Sequence, residues 1–135
     1  MKTKQVLSVE QMEHLQELGL STSDGSMCWC YALSYKNAKW ELEIYEDVID
    51  QKRDSNFWET LPTYTLQDIL DKLPPVIKKY YWLAIRVSAH KGMWYVEYNG
   101  RGCTLSYFYS ENLIDAAYEM LCWCIENGDV EKEGK

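Results

Sequence analysis

No stretch of the sequence is apolar for long enough to span a bilayer, so no membrane partner is expected. Basic residues are in the minority, 14 Lys and Arg against 21 Asp and Glu. The net charge of −7 argues against non-specific duplex DNA binding, which needs clustered cations to neutralise phosphates. Histidine occurs only twice, at His14 and His90, which leaves little material for imidazole-based catalysis. No basic leader followed by an apolar segment opens the chain. Met1-Lys2-Thr3-Lys4 runs directly into a polar, helical pattern, and a cytoplasmic setting is expected. The five cysteines are an odd number, which reads as free thiols in a reduced compartment rather than a disulfide framework. The one glycine-rich motif, Asn99-Gly100-Arg101-Gly102, falls between two strand patterns. It lacks the helix N-terminus that would hold a phosphate, so it reads as a hairpin turn. Nothing in the chain calls for a cofactor.

Aromatic residues are plentiful, with six Trp and eleven Tyr. Such side chains carry large apolar area with a polar tip and suit both cores and interfaces. Charge is unevenly spread. Residues 1–61 carry eleven acids and six bases, residues 62–110 three acids and six bases, and residues 111–135 seven acids and two bases. A mildly basic, aromatic middle thus lies between two acidic ends. The length fits one domain over residues 1–135, with a charged and frayed tail from Asp129 to Lys135.

The periodicity predicts a helix over Val9–Leu18, capped by Ser8 with Gln11 completing a capping box and Leu7 stapled to Met12. Alternation over Met27–Tyr35 and Trp40–Tyr45 predicts a hairpin turning at Lys36-Asn37-Ala38-Lys39, with Tyr31 facing Ile44 and Leu33 facing Leu42. Residues 46–64 read as a long connection anchored by Phe57 and Trp58, with local disorder expected near Asp50–Asn56. A short helix begins at the Thr65 cap, with Asp68 at its third position and Tyr64 stapled to Ile69, and Pro74-Pro75 stops it. Three strands follow, about Tyr81–His90, Met93–Tyr98 and Cys103–Tyr109. Two-residue turns at Lys91-Gly92 and Asn99-Gly100 would set Val87 opposite Val96 and Val96 opposite Cys103, with Arg86 paired to Glu97. A last helix over Leu113–Glu126 has a broad apolar face and ends at Gly128. The order α-β-β-α-β-β-β-α, without βαβ alternation, predicts an α+β fold: an antiparallel sheet (hairpin plus three-strand meander) with about three helices packed mainly on one face.

Two C-x-C pairs, Cys28-Trp29-Cys30 and Cys122-Trp123-Cys124, invite a zinc reading. On a helix, Cys122 and Cys124 lie about 200° apart and cannot both reach one ion, so no metal is expected. A small enzyme would need Cys28, Cys30 or His90 beside a carboxylate such as Asp47; no catalytic residue is assigned. The meander's outward face is more informative. Trp82, Arg86, Ser88, His90, Met93, Tyr95, Thr104, Ser106 and Phe108 are expected to share it, with Trp82, Arg86, His90, Tyr95 and Phe108 as candidate binding residues. Aromatics beside cations serve protein interfaces and single-stranded nucleic acids alike; cover by another element is the third possibility.

Four segments carry a resemblance: residues 15–23 (LQELGLSTS), Met27-Cys28-Trp29, residues 64–74 (YTLQDILDKLP) and residues 112–128 (NLIDAAYEMLCWCIENG). In these the chain resembles small proteins of the Bacteroides group of gut bacteria, their phages and mobile elements, a group without an established activity. The resemblance implies a cytoplasmic accessory protein and carries over no site residue. The expected function is a non-enzymatic protein-binding or adaptor module, acting on a protein partner or by self-association. A single-stranded nucleic-acid-binding module and a small Cys or His enzyme are the alternatives.

Overall fold

The computed structural model describes residues 4–33, 36, 38–50, 57–89 and 92–131. The elements run α1 (Val9–Glu17), β1 (Met27–Ala32), β2 (Glu41–Ile44), α2 (Tyr45–Asp50), β3 (Trp58–Thr63), α3 (Leu66–Lys72), β4 (Val76–Ile77), β5 (Tyr81–Val87), β6 (Trp94–Gly100), β7 (Cys103–Ser110) and α4 (Leu113–Glu126). The fold is α+β, as expected. Its strands form two antiparallel sheets, ordered β2-β1-β3 and β4-β5-β6-β7. No helix among the described residues is long and apolar enough to cross a membrane.

Local chemistry sets the helix starts. Ser8 and Gln11 form a reciprocal capping box, and Thr65 and Asp68 form a second one. The residues of both expected staples, Leu7 with Met12 and Tyr64 with Ile69, are fully buried in one core. Asp68 also accepts hydrogen bonds from Ser26, tying the start of α3 to the chain entering β1. The start of α4 has no side-chain cap. Its Asp115 is instead held by Lys4 and by Gln11, so the capping box of α1 and the first turn of α4 share one network.

The main core joins α1, α3 and α4 to the inner face of the four-stranded sheet. Met12, Leu15, Ile69, Val96, Tyr98, Met120, Leu121 and Ile125 are fully buried there. Asp129 donates its backbone N–H to the Cys124 carbonyl, and Val130 packs on this core. The three-stranded sheet encloses a much smaller cluster of Cys28, Cys30 and Val48, flanked by Tyr45 and Trp58. The two parts meet at Leu7, whose carbonyl accepts from Trp29 Nε1 at 2.9 Å and Thr63 Oγ1 at 2.8 Å.

Several expectations are corrected. The hairpin pairs Met27 with Ile44 and Trp29 with Leu42, so Tyr31 does not face Ile44, and the connection between the strands is longer than four residues. Residues 46–64, read as a long anchored connection, hold regular elements: α2 lies in their first part and β3 in their last, pairing with β1 along its length. Pro62 is tolerated because β3 is an edge strand. Trp58 anchors as expected, but Phe57 is exposed. Most of Asp50–Asn56, expected to be locally disordered, lies outside the described residues.

The meander is present with two register changes. Val87 pairs with Trp94, and Ile85 with Val96, a slip of two residues that preserves faces. Arg86 reaches Glu97 along the diagonal at 2.6 Å. In the second hairpin the turn is Arg101-Gly102, with Gly102 at φ 74°, while Asn99 and Gly100 belong to β6. An irregularity at Tyr98/Asn99 makes the shift odd, so Val96 faces Phe108 instead of Cys103. An odd shift sends every side chain of the rest of β7 to the other face.

Candidate functional site

The outward face of β5–β7 is the place where unused aromatic chemistry collects. Trp82, Arg86 and Tyr95 lie on it, as expected. Phe108 does not: the flipped register turns it inward, against the core and beside α4. Thr104 keeps its place on the outward face, opposite Asn99, but Ser106 pairs with Tyr98 and turns inward with Phe108. His90 lies outside the described residues. In place of Phe108 the face carries Tyr107 and Tyr109, which the sequence reading missed because it placed the turn at Asn99-Gly100.

Three tyrosines and one arginine form a continuous cluster. Tyr109 stands directly across from Tyr95, their rings stacked with centroids 5.3 Å apart, and Tyr107 stacks on Tyr95 from the diagonal position at 6.3 Å. From the other side, the Arg86 guanidinium sits 4.1 Å above the Tyr95 ring. Its Nε–H donates to Glu97 Oε1 at 2.6 Å. These pairs stabilise one another by about 0.5–1.5 kcal/mol each, so the cluster is held in place without a ligand. Glu97 is only 6% exposed although it points away from the core, because Arg86 and the tyrosines cover it. Trp82 (50%), Tyr107 (55%) and Tyr109 (53%) remain exposed; on the opposite face the helices bury Val96 and Tyr98 but leave Ile85, Val87 and Trp94 exposed toward its other end.

At one end of this face, Lys79, Tyr80, Tyr81, Trp82 and Arg101 border a cavity of about 590 Å³. A second cavity, of about 450 Å³, opens at the end of β1 between Cys30, Trp58, Lys36 and Lys39.

The buried thiols of Cys30, Cys122 and Cys124 lack the environment of nucleophiles. Cys28 and Cys30 have Sγ atoms 4.0 Å apart under α2. Burial, then the neighbouring Glu43, pushes the Cys30 thiol up to about 12, whereas a reactive thiol is shifted downward. Burial also raises Cys122 and Cys124 to about 11. Cys124 donates to the Tyr98 hydroxyl, and Cys122 is buried with its thiol toward Tyr118. The two C-x-C pairs belong to different cores and do not converge. Among the described residues no group of three or more His, Cys, Asp or Glu side chains is arranged to hold a metal. His14, on α1, has its ring near Tyr118 and Glu17.

The chain matches no protein-family model, no curated protein and no solved structure.

Proposed function

We propose that the protein is a non-enzymatic, protein-binding or adaptor module of the cytoplasmic, phage- or mobile-element-associated type, and that it docks through the outward face of β5–β7. The observation that carries this reading is the ordered cluster of Tyr95, Tyr107, Tyr109 and Arg86, with Trp82 beside it, on a face that no helix covers among the described residues. Tyr, Trp and Arg are the residues that dominate interface energetics when a partner desolvates them. Tyrosine also supplies rigid contact area at low entropic cost, and a pre-stacked cluster lowers that cost further.

A protein partner suits the face better than a single-stranded nucleic acid. The cation at the centre of the cluster is already neutralised by Glu97, and that carboxylate would repel a phosphate backbone. An enzyme reading has weaker support still, since the buried thiols are held protonated.

The test is the pair Tyr107→Glu and Tyr109→Glu in one chain. Circular dichroism should stay unchanged, because both side chains are exposed. Self-association by light scattering, and capture of a partner from host extract, should be lost together with the cluster. An intact fold whose self-association and captured partners are the same as those of the parent chain would refute the assignment of the face.

A further inference from the structure

The cavity at the end of the four-stranded sheet differs in chemistry from the tyrosine cluster. Its walls are aromatic, formed by Tyr80, Tyr81 and Trp82, and its charged groups are Lys79 and Arg101. No carboxylate lines it. Neither cation has an ion-pair partner among the described residues, where Lys4, Lys72 and Arg86 are each matched with a carboxylate. In a chain of net charge −7, a cavity with two unmatched cations and no acid is a local reversal of sign. Its volume of about 590 Å³ lies within the range of small-molecule sites.

The backbone is shaped to form it. Lys78 and Lys79 both adopt left-handed conformations, with φ of 52° and 68°, at the turn between β4 and β5. Turns with two such residues ordinarily take Asn-Gly, because a side chain resists this conformation. Gly100 closes the opposite side. A Cβ there would stand 3.0 Å from the Tyr81 ring and 3.2 Å from the Tyr80 carbonyl oxygen, so a side chain at this position would push the wall back by a few tenths of an ångström.

We propose that this cavity binds a small free phosphate monoester that carries an aromatic ring, for which a nucleoside monophosphate is the representative ligand. Lys79 and Arg101 take the phosphate, whose double negative charge matches two unpaired cations. Trp82, with Tyr80 and Tyr81, takes the ring by stacking. The inference does not rest on the docking face, with which it shares only Trp82.

Calorimetric titration of the full chain with adenosine monophosphate, adenosine and inorganic phosphate tests it. The nucleotide should bind saturably at one site, about tenfold or more tighter than either half, and more weakly as salt rises. Lys79→Ala with Arg101→Ala should weaken it about tenfold or more, and Trp82→Ala should do the same, with circular dichroism unchanged in each because all three side chains are exposed. The Tyr107→Glu, Tyr109→Glu chain should bind the nucleotide as the parent does, which keeps this result separate from failure of the docking face. Absence of saturable binding at millimolar nucleotide would overturn the proposal. So would inorganic phosphate binding as tightly as the nucleotide, or affinity that survives loss of both cations.

Discussion

The four-stranded sheet rests on eighteen buried apolar side chains among the described residues, drawn from three helices, the strands and the connecting segments. The three-stranded sheet encloses three among the described residues: Cys28, Cys30 and Val48. Both sheets are held by antiparallel ladders, so the difference lies in what covers them. At about 1.5–3 kcal/mol for each large apolar side chain buried, the first sheet is stabilised far more strongly than the second. The second depends on its attachment at Leu7, through Trp29 and Thr63, to borrow the stability of the first. Such an arrangement places the easiest opening of the molecule in β1–β3 and leaves the face that carries the tyrosine cluster on the rigid side.

The largest effect should come from the main core. Met120→Ala, at a fully buried position, should cost about 2–5 kcal/mol in chemical denaturation. Val48→Ala, in the small cluster, should cost about 1 kcal/mol, with faster hydrogen exchange confined to β1–β3. Equal costs at the two positions would break the comparison. Thr65→Ala should cost about 0.5–2 kcal/mol, because it removes the cap of a helix that packs on the main core. The Tyr107→Glu, Tyr109→Glu chain should differ from the parent by about 0.5 kcal/mol or less, since the cluster is exposed.

The smallest effect concerns acid. Asp24 is partly buried, which alone would raise its pKa, but hydrogen bonds from Lys72 and Tyr64 outweigh burial and hold it below its usual 3.8. A carboxyl depressed in the folded state contributes stability that is present above its unfolded pKa and lost as pH falls through the folded one. The difference in melting temperature between the parent chain and Asp24→Asn should therefore be constant above about pH 5 and shrink below 3.8. A difference that persists unchanged into acid would show that the carboxylate contributes nothing.

Legibility in the sequence followed the range of the interactions. The capping boxes at Ser8 and Thr65, both staples and the apolar face of α4 are local, set by residues three to five apart, and all could be read directly. The third strand of the small sheet could not. Trp58–Thr63 contains Glu59 and Pro62, and is made a strand by its partner β1 and not by its own pattern. The β6–β7 turn shows how one residue decides a face. Asn99-Gly100 is the stronger turn signal by composition. Gly100 is a glycine for another reason, the close approach of Tyr81, and the turn moved to Arg101-Gly102. Phe108 thereby went inward, and Tyr107 and Tyr109 came out. Trp82, Arg86 and Tyr95 were legible because the β5–β6 slip was even.

Strand β7 has a consequence of another kind. Among the described residues no strand pairs with its outer edge, and its eight residues, Cys103–Ser110, contain no charge and no proline. An edge of that composition is a template on which further chains can add, and the charges that would discourage it, Arg101 and Glu111, stand only at its two ends. Tyr107 and Tyr109 belong to this same strand, so the exposed edge and the proposed docking face share two residues. A lysine introduced at either position to blunt this edge would also break the tyrosine cluster proposed as the docking face.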